Sequence, residues 1–142
     1  MEADLPWVIG AVRQILVADA DFMMACQNRV LEKSPSTVSV PYATIQLPTA
    51  ISDLGGGVYR CMVQVDGWSP AEGYQNTEAS VLVWRIVTRA NRALRVSNRT
   101  YQTMRFSSRP TDIIPLPDDK SRGDANPLVH AATRAVLTIH NE

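Results

Sequence analysis

A chain of 142 residues, 45% hydrophobic and 20% charged, is long enough for one domain with its own core and too apolar for a disordered one. Fourteen basic residues balance fourteen acidic ones, which excludes a general polyanion-binding signature. The basic set is twelve Arg against Lys33 and Lys120, a bias towards the planar, multi-donor contacts that interfaces favour. Cys26 and Cys61 are too few for a disulfide framework and read as reduced, partly buried thiols. The stretch Met1 to Trp7 lacks the basic-then-apolar pattern of a signal peptide, and no apolar run is long enough to cross a bilayer. A soluble intracellular product with no membrane partner is therefore expected.

In chain order, Asp4 is placed to cap a first helix, with Pro6 in its first turn. Val8, Ile9, Ala11, Val12, Ile15 and Leu16 then follow helical spacing. Asp19 and Asp21 fall where that helix should weaken. Phe22 to Leu31 reads as a turn and a short extended piece around Arg29-Val30, and 34–39 as a loop. Pro41 to Leu47 alternates like a strand and ends at Pro48. Residues 48–57, with Asp53 and the run Gly55-Gly56-Gly57, form a flexible connection. In the following strand, Val58 to Trp68, Tyr59, Cys61, Val63 and Val65 alternate with Arg60, Gln64 and Asp66. These two strands should pair as a hairpin with a long loop.

Ser69-Pro70 breaks the strand. Asn76 or Thr77 is placed to cap a second helix running to about Arg95, with Glu78 in its first turn. Thr100 to Phe106 is a third strand. Residues 107–127 are rich in Pro, Asp, Ser and Gly and read as a loop. Leu128 to His140 alternates as a long last strand, although its alanines leave a helix open. The order α-β-β-α-β-β predicts an α+β fold, with two helices packed on one face of a mainly antiparallel sheet of about four strands. It forms a single domain over 1–142, with long loops at 48–57 and 107–127. Those loops should be mobile in an isolated subunit and ordered at contacts in an assembly.

Catalytic chemistry finds little support. The three glycines precede a strand rather than a helix, so they do not make a phosphate loop. His130 and His140 sit on one strand roughly 30 Å apart, too far to share a metal, and neither a metal site nor a cofactor is expected. No Ser stands in a Gly-x-Ser-x-Gly elbow, and no catalytic residue is assigned. Asp118-Asp119 reads as a solvated acidic pair, a weak cation site or an interface patch.

The second helix is the most informative segment. Ala79, Leu82, Val83, Ile86, Val87, Ala90, Ala93 and Leu94 form its core face. Val81 and Trp84 then fall on the opposite side, where Trp84 is either covered by the chain's own loop or packed against another subunit. Arg85, Arg89 and Arg92 form a stripe beside it. From Ala79 to Thr111 there are seven Arg and no acid. The stripe reads as a solvated basic face, as a partner for acids of a neighbouring subunit (Asp112, Asp118, Asp119 and Asp124), or as a lumen surface meeting DNA phosphates without reading bases. Candidate subunit-interface residues are thus Val81, Trp84, Arg85, Arg89, Arg92, Asp118 and Asp119.

Pro41-Tyr42-Ala43-Thr44-Ile45 resembles the first hairpin strand of the tail terminator (tail-completion) proteins of long-tailed bacteriophages. Val63-Gln64-Val65-Asp66-Gly67-Trp68-Ser69 resembles their second strand, and the helix from about Thr77 to Arg95 follows in the expected place. The resemblance implies a homo-oligomeric ring, usually a hexamer, in the virion. Such a ring caps the tail tube, stops its polymerisation and joins the tail to a head-side neck protein. Its partners would be itself, the tail tube protein and a neck or connector protein. It would carry no catalytic residues. A head-completion connector is the neighbouring reading, and a small-molecule-binding or enzymatic α+β domain is the reading from another class.

Overall fold

The computed structural model describes residues 5–32, 39–119 and 128–140. Three helices, α1 (Leu5–Val17), α2 (Ala20–Ala25) and α3 (Ala79–Ala93), pack against strands β1 (Val30–Leu31), β2 (Tyr42–Gln46), β3 (Ser52–Gly55), β4 (Val58–Pro70), β5 (Val96–Tyr101), β6 (Met104–Asp119) and β7 (Leu128–His140). The seven strands form one curled, half-barrel sheet in the order β1-β2-β4-β7-β6-β5, with β3 also paired to β4. Only β1 and β2 run parallel, which makes the sheet mixed.

The centre is β4 beside β7, antiparallel in unbroken register from Val58↔His140 to Pro70↔Leu128. On its other edge β4 is shared: β3 pairs with its start and β2 with its end. Side chains alternate across the sheet. On one face Cys61, Val63 and Val65 of β4 and Ala135, Leu137 and Ile139 of β7 are buried in a core with Val8, Val12, Leu16, Phe22 and Ile86 from the helices. Burying a side chain the size of Ile86 is worth about 1.5–3 kcal/mol. Cys26 and Cys61 are free, buried thiols. Burial pushes the Cys61 thiol up to about 11 and raises that of Cys26 as well.

The expectation of two helices on about four strands is corrected. Asp19 does not merely weaken the first helix. Its carboxylate accepts from the Phe22 amide at 2.9 Å and starts α2, a six-residue helix too short to show periodicity. Left-handed Gln27 and Asn28 close it, and the extended piece expected at Arg29-Val30 becomes β1. The connection 48–57 contains β3, which turns into β4 through Gly55, Gly56 and Gly57, all at positive φ. A Cβ at Gly55 or Gly56 would meet nothing within 4 Å, so backbone conformation rather than space requires glycine there.

The third strand, expected at Thr100–Phe106, is a hairpin bent at Gln102 and Thr103 between β5 and β6. The loop expected at 107–127 is strand as far as Asp119. Its prolines suggested a loop, but beyond Ser108 the strand pairs with β7 on one side only. A sheet edge of that kind admits Pro110 and Pro115. Asn76 is not a helix cap either. Gln75 and Asn76 form a left-handed tight turn closed by the Tyr74↔Thr77 bridge, and Glu78 occupies the cap position without a side-chain bond. Asp4, 33–38 and 120–127, hence most of the loop expected at 34–39 and Asp124, lie outside the described residues. No described helix is long and apolar enough to cross a membrane.

The core face expected for α3 is largely as read: Ala79, Leu82, Val83, Ile86, Val87, Ala90 and Leu94 are buried. The helix crosses β4 at Gly67, where a Cβ would lie 3.0 Å from Ile86 and 3.2 Å from the Val83 carbonyl oxygen. That oxygen is backbone and cannot swing aside. Gly67→Ala should therefore destabilise the protein by about 1–3 kcal/mol, read as a lower urea midpoint. An unchanged midpoint would mean that α3 has slack to move outward.

Candidate functional site

Two surfaces are candidates for a functional site: the outer side of α3, and the sheet face that bears no helix.

On α3, 3.6 residues per turn place Val81 and Trp84 opposite the buried stripe. Val81 is 40% exposed and Trp84 51% exposed. No loop among the described residues covers the indole. Arg85 is exposed, and its side chain has no hydrogen bond or ion pair among the described residues. The other two arginines of the stripe turn towards α2 of the same chain. Arg89 Nη1 donates to the Asp21 carbonyl oxygen at 2.8 Å, and Arg92 Nη2 lies 3.5 Å from the Asp21 carboxylate. Both members of the Arg92–Asp21 pair are well solvated, a setting in which an ion pair contributes at most about 1 kcal/mol. The stripe is thus partly answered inside the subunit. Asp112 belongs to the opposite face of the sheet, across from Arg134. Asp118 and Asp119 end β6, with Asp119 in register with Leu128.

The helix-free face is built from cross-strand rows. Tyr42, Trp68, His130 and Leu116 are direct neighbours across four strands, and Thr44, Asp66, Ala132 and Ile114 form the next row. Gln46, Gln64, Arg134 and Asp112 form the third. The rings of the first row stack: Tyr42 and Trp68 lie 6.0 Å apart, and Trp68 and His130 lie 3.6 Å apart at 9°. Trp68 Nε1 donates to Thr44 Oγ1 at 3.0 Å.

Beneath the rings sits Asp66, 1% exposed. Its Oδ1 accepts from Gln64 Nε2 at 2.7 Å and faces His130 Nε2 at 2.8 Å, while Oδ2 accepts from Gln46 Nε2 at 2.7 Å. Arg134 Nε in turn donates to Gln64 Oε1 at 3.0 Å. Small Ala132 opposite Asp66 leaves room for its longer neighbours on β7 to lean across. A carboxylate met from three sides is satisfied despite its burial, and such a network specifies one arrangement of strands.

The sequence reading missed this cluster because His130 was weighed only as a metal ligand. The signal was present as period-two polarity: Thr44 and Gln46, then Gln64 and Asp66, then His130 and Arg134, on strands that prove adjacent. Among the described residues no group of three His, Cys, Asp or Glu side chains could hold a metal. The Asp66–His130 contact joins β4 to β7 across the helix-free face.

The chain matches no protein-family model and no curated protein.

Asp66→Asn keeps shape but replaces one acceptor by a donor. It should cost about 1–3 kcal/mol, against less than about 0.5 kcal/mol for exposed Glu72→Gln. A double-mutant cycle with His130→Gln should give a coupling of about 1 kcal/mol or more by urea unfolding. Additive single effects would show that the contact contributes nothing beyond its parts.

Proposed function

We propose that this chain is a structural virion subunit that assembles into a ring, the tail terminator of a long-tailed bacteriophage. The ring caps the tail tube, stops its polymerisation and offers a face to the head-side neck. The observation that carries the reading is the outer side of α3. Val81, Trp84 and Arg85 stand exposed on a helix whose opposite side completes the monomer's core, so folding alone does not require them. An exposed Trp beside an apolar residue and an unpaired Arg has the composition of an interface centre.

The resemblance supports the same reading. Its two strand segments, Pro41–Ile45 and Val63–Ser69, fall on β2 and its lead-in and on β4, which lie side by side with α3 packed across β4. The occupant of the α3 surface is a second copy of the chain. A ring places a different surface of each neighbour against it, a heterologous contact that closes by rotation.

Trp84→Ala should weaken assembly about 30-fold or more, read as loss of the oligomer by mass photometry. The subunit's thermal midpoint should stay within a few degrees. A wild-type protein that remains monomeric at every concentration, in solution and in particles, would refute the ring. So would a variant that assembles as wild type.

A further inference from the structure

The lower rows of the helix-free face hold a second feature, unrelated to the stacked rings. Arg60, Thr138 and Ser107 are direct neighbours across β4, β7 and β6. Beside them β5 slips against β6, with the register shifting between Val96 and Arg99. Asn98 takes a left-handed φ of 52°, and its amide donates to Ser107 Oγ at 3.1 Å. The slip opens a pocket of about 420 Å³ whose polar lining is Arg60, Ser97, Ser107, Ser108, Arg109 and Thr138. A smaller depression of about 200 Å³ shares Ser97, Ser108 and Arg109 and adds Arg95.

Two observations converge here. Apart from Ser108, whose side chain shares the core face with Leu137, the polar lining has two guanidinium groups and three hydroxyls but no carboxylate. Neither the Arg60 nor the Arg109 side chain has a hydrogen bond or ion pair among the described residues.

We propose that this pocket binds a small molecule through a phosphate-type oxyanion. Arg60 and Arg109 supply charge-assisted donors from two sides. The hydroxyls of Ser97 and Thr138 donate to the remaining oxygens, and Ser107 keeps its own proton to give because it accepts from Asn98. The volume suits a small phosphorylated molecule rather than a nucleic-acid strand. The proposal does not rest on the ring: the pocket lies at the β5–β6 slip, and Val81 and Trp84 lie on the outer side of α3. Either can fail alone.

The test titrates inorganic phosphate into the full chain, following backbone amide NMR shifts and the thermal midpoint. Saturable shifts at Ser97, Ser108 and Arg109, with a rise in midpoint that sodium chloride of equal ionic strength does not reproduce, are expected. Arg60→Gln and Arg109→Gln should each weaken binding about tenfold. Thr138→Val should weaken it several-fold, because it removes a hydroxyl that lies directly between Arg60 and Ser107. A short single-stranded oligonucleotide should bind no more tightly than free phosphate. Equal effects of chloride and phosphate, or retained affinity in both arginine variants, would overturn the proposal. Binding of the oligonucleotide without binding of free phosphate would also overturn it, and would make the surface a track for a polymer.

Discussion

The in-register pairing of β4 with β7 is the constraint on which the rest of the molecule depends. Both strands have thirteen residues, and the pairing runs from end to end without a bulge. A shift by one residue would exchange the two faces. Cys61, Val63, Val65, Ala135, Leu137 and Ile139 would leave the helices, and Asp66, Gln64 and Arg134 would enter the apolar core. The cost of burying those groups unpaired makes the alternative register inaccessible. Everything placed on this pair, from the helix layer to the stacked rings, inherits its register.

The two faces then do different work. Towards the helices the sheet is mostly apolar; Ser69, Ser108 and the fully buried Thr133 are exceptions, and the Thr133 hydroxyl donates to the Asp112 carbonyl oxygen and accepts from Asn91 of α3. Away from the helices the sheet supplies its own cover: side chains from four strands lean over one another, and Asp66 at their centre is closed off by Gln46, Gln64 and His130. The polar face is therefore specified internally. The outer side of α3 keeps Val81 and Trp84 exposed, and the gap where β5 slips on β6 keeps the Arg60 and Arg109 side chains without partners among the described residues. Their chemistries differ, since one is apolar and aromatic and the other is basic and hydroxyl-rich.

Periodicity made some of this legible and hid the rest. The long amphipathic segments α1, α3, β4 and β7 repeat their pattern often enough to be read, and the outward placement of Val81 and Trp84 followed from the same periodicity. Short elements have too few repeats: α2 depends on one cap, and β3 on a turn of three glycines. β6 was hidden for a different reason. Pro110 and Pro115 exclude a central strand but not an edge, and a single sequence does not say which strand lies at an edge. Asp66 and His130 stand 64 residues apart. Their contact depends on the β4–β7 register, which local pattern alone does not supply.

In the ring we propose, α3 turns its core stripe inward for folding and its exposed Val81–Trp84 side outward for a second copy. Labelling the protein with 5-fluorotryptophan gives one 19F resonance each for Trp7, Trp68 and Trp84, and the shift between light and heavy water reports contact with solvent. In dilute subunit, Trp84 should show the largest solvent shift of the three, as its half-exposed ring requires. On assembly that shift should collapse, while those of Trp7 and Trp68 change little. A Trp84 resonance that keeps its full solvent shift in the assembled particle would contradict the claim.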